Sequence, residues 1–123
     1  DSSNSGQGLV IDFNPPTSTL FGAWYTFLPN GGSGVAGQHW FTLQSGLSGS
    51  TTSYNAIGIY DTTGGRFDMH ATTTTAQVGT AKLNFTSCTT GKLDYQFTSG
   101  THAGKSGTLD LSRLTPAPAG CTN

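Results

Sequence analysis

KLDYQFT, residues 92–98, alternates at every step: Leu93, Tyr95 and Phe97 fall on one side, Asp94 and Gln96 on the other. A period of two is what a strand needs when one face meets a core and the other meets water. The same rhythm runs outward in both directions. Ala81, Leu83 and Phe85 alternate with Lys82 and Asn84, and Leu109 and Leu111 alternate with Asp110 and Ser112. No stretch of 11 or more residues holds a helical period without a Gly, a Pro or a Thr cluster breaking it.

Turn chemistry separates the alternating runs. Asn14-Pro15-Pro16, Pro29-Asn30-Gly31-Gly32 and Asp61-Thr62-Thr63-Gly64-Gly65 read as breaks, the last as a hairpin loop. Eight strands result, at roughly 7–14, 19–28, 37–45, 54–61, 66–73, 77–87, 92–99 and 106–114. The connections are short or moderate, so the expected fold is all-β: an antiparallel up-and-down barrel of eight strands. Eight strands leave an interior wide enough for side chains or one small ligand. A two-sheet sandwich is the alternative.

Composition agrees with a single β domain spanning 1–123. Charged residues make up 9 % of the chain, against roughly 25 % in ordinary domains. Thr, Ser and Gly take their place, and Glu is absent. The net charge of −1 and the lack of a basic stripe argue against nucleic acid. Weak repulsion between copies leaves self-association open. No apolar stretch is long enough to span a membrane, and no signal peptide opens the chain, so a leader is expected to have been removed. Residues 1–6 read as a flexible start.

Cys88 and Cys121 fit neither a CxxC motif nor zinc-ligand spacing, so one disulfide is expected, and with it a secreted or periplasmic location. In the expected register Phe97 faces Leu109, Tyr95 faces Leu111 and Leu93 faces Arg113. The Pro-rich tail 115–123 then returns Cys121 to the turn holding Cys88. Asn84-Phe85-Thr86 is a glycosylation sequon, relevant only outside a bacterial host.

Leu20 to Leu28 breaks the pattern, because both of its faces are apolar. Leu20, Gly22, Trp24, Thr26 and Leu28 form one; Phe21, Ala23, Tyr25 and Phe27 form the other. Three explanations compete: a strand covered on both sides, an exposed patch that binds a partner or another copy, and a pocket at the barrel mouth lined by Trp24 and Trp40. The candidate ligand-binding residues are Trp24, Tyr25, Trp40 and Phe41, with Arg113 as an anion contact or a plug at the barrel end.

AWYTF, QHWFTLQSG, IGIYDTTGGRF, VGTAKLNFTSC and SGTLDLSRL together resemble a group of secreted bacterial β domains with an aromatic hairpin signature. The resemblance implies a secreted bacterial origin; it implies no activity and carries no site residues. Strand number and length are similar to avidin-type and lipocalin-type barrels by architecture alone.

His39, His70 and His102 are the nitrogen donors available to a metal. Phe67 and Met69 are expected to face inward, which turns Asp68 and His70 to solvent. Asp94 and Asp110 fall on the outer face near Lys82 and Lys92, so they read as surface ion pairs and not as a hydrolytic pair. No GxSxG elbow occurs. The expected function is a non-catalytic binding module without cofactor or metal, whose partner is a saccharide, a small apolar molecule or a protein surface. A self-assembling structural protein and a small metal-dependent hydrolase are the alternatives.

Overall fold

The computed structural model describes residues 5–47 and 52–122, and among them it contains seven strands. These are β1 (Gly8–Asn14), β2 (Thr19–Phe27), β3 (Gln38–Gly46), β4 (Ser53–Thr63), β5 (Thr74–Phe85), β6 (Thr90–Phe97) and β7 (Ser106–Ser112). All pair antiparallel in chain order, β1 to β7, so the meander is as expected. Of the stretches assigned to termini, residues 1–4 and 123 lie outside the described residues.

Two corrections follow. The strand expected at 66–73 does not form. Asp68 adopts a left-handed backbone (φ 50°), and Arg66 bridges to Met69, so the chain folds back on itself where Phe67 and Met69 suggested alternation. Gly64 lets the two arms of this finger meet. Its φ is 88°, and a side chain there would come within 2.6 Å of the Thr72 carbonyl oxygen. Phe67 and Met69 consequently face solvent instead of the core.

The second correction concerns closure. The sheet is a curled half-barrel whose edges, β1 and β7, are not hydrogen-bonded to each other. Its interior is occupied by large rings: Trp24, Phe41, Tyr95 and Phe97 lie with centroids 5.2–6.2 Å apart. Leu20, Leu43, Tyr54, Ile57, Ile59, Val78, Ala81, Leu83 and Leu93 are buried with them. A fully buried side chain of this size contributes about 1.5–3 kcal/mol. Leu9, Ile11, Leu109 and Leu111, on the two edge strands, pack only partly against that core.

The ladder between β4 and β5 is irregular. The register slips between Tyr54 and Ile57, and again between Ile59 and Tyr60. A bulge adds a residue to one strand, bends it and increases its twist. Gly79, at the second slip, lies so close to β6 that a Cβ would sit 2.3 Å from the Gln96 carbonyl oxygen.

The β6–β7 register also differs from expectation: Leu109 faces Leu93, Leu111 faces Gly91 and Tyr95 faces Gly107. The hairpin closes at Phe97, whose N–H donates to the Lys105 carbonyl (2.8 Å). That closure brings Phe97 opposite Lys105 in place of Leu109 and shifts the pairing by four residues. The displacement is by an even number of residues, so every inward side chain stays inward.

The disulfide forms between Cys88 and Cys121, with Cα atoms 6.0 Å apart. It holds because the end of β7 still lies beside the start of β6: Ser112 pairs with Thr90, and the Arg113 N–H donates to Thr89 O (2.8 Å). The turn carrying Cys88 is organised by Ser87, whose Oγ accepts from the backbone N–H groups of Thr89 and Thr90, each at 3.1 Å.

Candidate functional site

Alternation separates the aromatic residues that the sequence groups together. Even-numbered positions of β2 turn inward, so Leu20, Gly22, Trp24 and Thr26 are buried. Trp24 is 4 % exposed and Phe41 fully buried; their rings lie 5.6 Å apart in the core. Neither can meet a partner on the outer surface. Trp24 does line a half-open groove of about 360 Å³ at one end of the half-barrel, together with Leu28, Pro29, Tyr95, Phe97 and Leu109. At its rim the Thr26 hydroxyl donates to Gln7 Oε1 (2.7 Å). Trp40 has no part in that groove.

Tyr25 and Trp40 face the other way. They are direct cross-strand partners between β2 and β3, and each is 51 % exposed. Phe21 on β2 and Val10 on β1 are also exposed on this face, with Ala23 and Thr42 half-buried between the rings. Gln38, Gln44 and Asp12 supply polar neighbours through the same pairings.

The far half of the same face is an internal control. Across β5, β6 and β7 the outward positions are Thr80, Lys82, Asn84, Lys92, Asp94, Gln96, Thr108 and Asp110. There Lys92 Nζ meets Asp110 Oδ1 at 2.6 Å, and the Thr108 hydroxyl donates to Asp94 Oδ1 at 2.5 Å. The pairing with Asp110 raises the Lys92 pKa, and the pairing with Lys92 lowers that of Asp110; in each case the hydrogen bond is the larger cause and Coulomb attraction the next. This is an ordinary wet face, whereas the β1–β3 half carries four large exposed apolar side chains.

Arg113 does not plug the barrel. It is exposed, and its Nε donates to the Pro116 carbonyl (2.9 Å), tying the tail to the end of β7. The histidines divide as well. His70 is exposed on the finger. The His39 ring lies 4.7 Å from Phe41, and its Nε2 lies 2.9 Å from Asp61 Oδ1. His102 is 9 % exposed and stands perpendicular to Phe41; its Nδ1 meets no hydrogen-bond partner among the described residues. No three His, Cys, Asp or Glu side chains converge there, and His39 bonds no hydroxyl or thiol among those residues. The His39–Asp61 pair is thus an orienting contact in the β3–β4 hairpin.

Searches of known protein families, curated proteins and solved structures find nothing that matches this chain. The candidate site is therefore defined by the chain's own geometry. Strand parity alone could have removed Trp24 and Phe41 from the surface set. No pattern in the sequence marks Phe67 as exposed.

Proposed function

We propose that this chain is a non-catalytic binding module that works outside the cytoplasm and recognises its partner with the outer face of β1–β3. One observation carries the reading. Tyr25 and Trp40 stand side by side, half exposed, on a sheet whose opposite half is uniformly polar on the same face. Solvent-facing strands do not gather aromatic rings without a use for them, because contiguous exposed apolar area invites aggregation.

The chemistry of the face narrows the partner. Two ring faces, the neighbouring amides of Gln38 and Gln44, the Thr42 hydroxyl and a near-neutral chain suit an uncharged surface with C–H groups to stack and hydroxyls to bond. Saccharide rings, small apolar molecules and protein surfaces meet that description, and saccharide rings use the amides best. Each aromatic contact contributes about 1 kcal/mol beyond its area. The extracellular setting is supported by the Cys88–Cys121 disulfide and the low charge; the resemblance to secreted bacterial β domains adds the bacterial origin.

The test uses native gels containing a soluble neutral polysaccharide. The protein should be retarded, and the double variant Tyr25→Ala/Trp40→Ala should migrate as it does in plain gels while staying folded, its thermal midpoint lowered by no more than several degrees. Undiminished retardation in the double variant would sink the proposal, as would its unfolding.

A further inference from the structure

We infer that the finger between β4 and β5 is a knob that seats in the apolar groove of a second copy, pairing two chains end to end. Phe67 is 98 % exposed and Met69 62 % exposed. They are not on a loose loop tip. The Arg66–Met69 bridge, the left-handed Asp68 and the close approach at Gly64 build an ordered turn that holds Phe67 outermost. A fully solvated ring on an ordered turn is an anchor awaiting a pocket.

The chain carries a pocket of matching chemistry. The groove of about 360 Å³ is walled by Phe27, Leu28, Pro29, Tyr95 and Leu109, reaches only the edges of the buried Trp24 and Phe97, and carries Gln7 and Thr26 beside them. The half-buried Tyr95 is the ring it offers to an incoming phenyl group, which favours offset or edge-to-face contact. In an up-and-down meander the β2–β3, β4–β5 and β6–β7 connections share one end of the sheet. The groove's Leu28 and Pro29 belong to the first of these and the finger to the second. Knob and groove therefore look the same way from different sides of the curl, which is the arrangement a two-fold axis needs for reciprocal insertion. With a net charge of −1, two copies scarcely repel.

Area sets the strength. An aromatic side chain buries about 150–250 Å², so two Phe67 rings, two Met69 side chains and their groove walls make an interface at or below about 1,200 Å², the range of weak, reversible association. The assembly is a concentration-dependent dimer. It rests on observations separate from the outer aromatic face.

Sedimentation velocity of the oxidised full chain, from micromolar to near-millimolar, tests it. The weight-average mass should climb from the monomer value toward twice that value. Phe67→Ser touches no packed side chain, so it should keep the thermal midpoint and weaken association by about a hundredfold or more, about tenfold for each of the two aromatic contacts that the two-fold symmetry removes. Leu114→Ser, which removes an exposed apolar group at the opposite end of the sheet, should leave association unchanged. A monomer at every concentration overturns the inference. So does a dimer indifferent to Phe67→Ser, and so does a monomer that sediments with phosphatidylserine vesicles through Phe67.

Discussion

Replacing each tryptophan by alanine separates the two faces of the sheet. Trp24 is 4 % exposed and packs against Phe41, Tyr95 and Phe97 at centroid distances of 5.6, 5.2 and 6.2 Å. Truncating it removes an indole and leaves a cavity walled by rings that cannot all collapse inward. Large-to-small changes of this kind cost about 3–5 kcal/mol. Net stabilities of single domains are about 5–15 kcal/mol, so roughly a fifth or more of the total is at stake. For a chain of this length each kcal/mol corresponds to a few degrees, and Trp24→Ala should lower the midpoint by roughly 10–20 °C. Trp40 is 51 % exposed, and its direct cross-strand neighbour is Tyr25. Such a pair contributes about 0.2–1 kcal/mol, so Trp40→Ala should move the midpoint by no more than a few degrees. Thermal unfolding followed by far-ultraviolet circular dichroism measures both, and iodide quenching in each single-tryptophan protein gives an independent reading of exposure. Equal losses for the two variants, or a larger loss for Trp40→Ala, would refute the division of the sheet into an aromatic core face and an aromatic recognition face.

Three other outcomes follow from the same packing. Removing the disulfide with Cys88→Ser/Cys121→Ser, which opens a sequence separation of 33 residues, should cost about 3.5–4 kcal/mol in the loop-entropy description, seen as a lower urea midpoint with a raised m-value, because the denatured chain expands. His102→Leu should hold or raise the thermal midpoint, because it replaces a buried ring whose Nδ1 has no partner and relieves a desolvation cost of about 1–3 kcal/mol; a drop of several degrees would show that the ring has a polar partner after all. The Lys92–Asp110 pair sets a pH window: Asp110, lowered, adds stability above the ordinary carboxylate range and loses it as pH falls through its own value, while Lys92, raised, adds stability below the ordinary lysine range and loses it as pH rises through its own. Carbon-detected NMR titration should show both displacements at low salt, and Asp110→Asn should return Lys92 to the ordinary value.

The fold was legible where parity was enforced by a core. In β6, Leu93 and Phe97 are buried as alternation requires, with Asp94 and Gln96 outside. The four-residue displacement of β7 shows the limit of such reasoning. Registers that differ by an even number place the same side chains inward, so hydrophobic pattern cannot choose between them; the hairpin closure at Phe97 and Lys105 does. The finger failed for a related reason. Arg66-Phe67-Asp68-Met69-His70 alternates as well as any strand in the chain, but nothing pairs with it, and Asp68 tolerates the left-handed conformation that folds it over. A period of two reports a preference for extended backbone, and a strand exists only where a neighbour completes its ladder.

The candidate site was half legible for the opposite reason: the residues were named and their faces left unsorted. Tyr25 follows Trp24, and Phe41 follows Trp40, so in each pair one ring must be inside if the other is outside. Given the antiparallel register, Trp24 meets Phe41 and Tyr25 meets Trp40. One cross-strand pair therefore fills the core and the adjacent one coats the surface. The two layers share a backbone, which ties recognition to stability. A partner that stacks on Tyr25 and Trp40 presses on the strands whose other faces hold Trp24 and Phe41, and Trp24 also walls the groove offered to Phe67 of a second copy. If both contacts form, occupancy of the outer face and pairing through the groove are coupled across a single β-strand. Titrating the neutral polysaccharide during sedimentation would read that coupling directly. The dimer constant should move with polysaccharide in the wild-type chain and stand still in Tyr25→Ala/Trp40→Ala. A constant that ignores the polysaccharide in both would separate the two surfaces energetically, leaving each to stand on its own test.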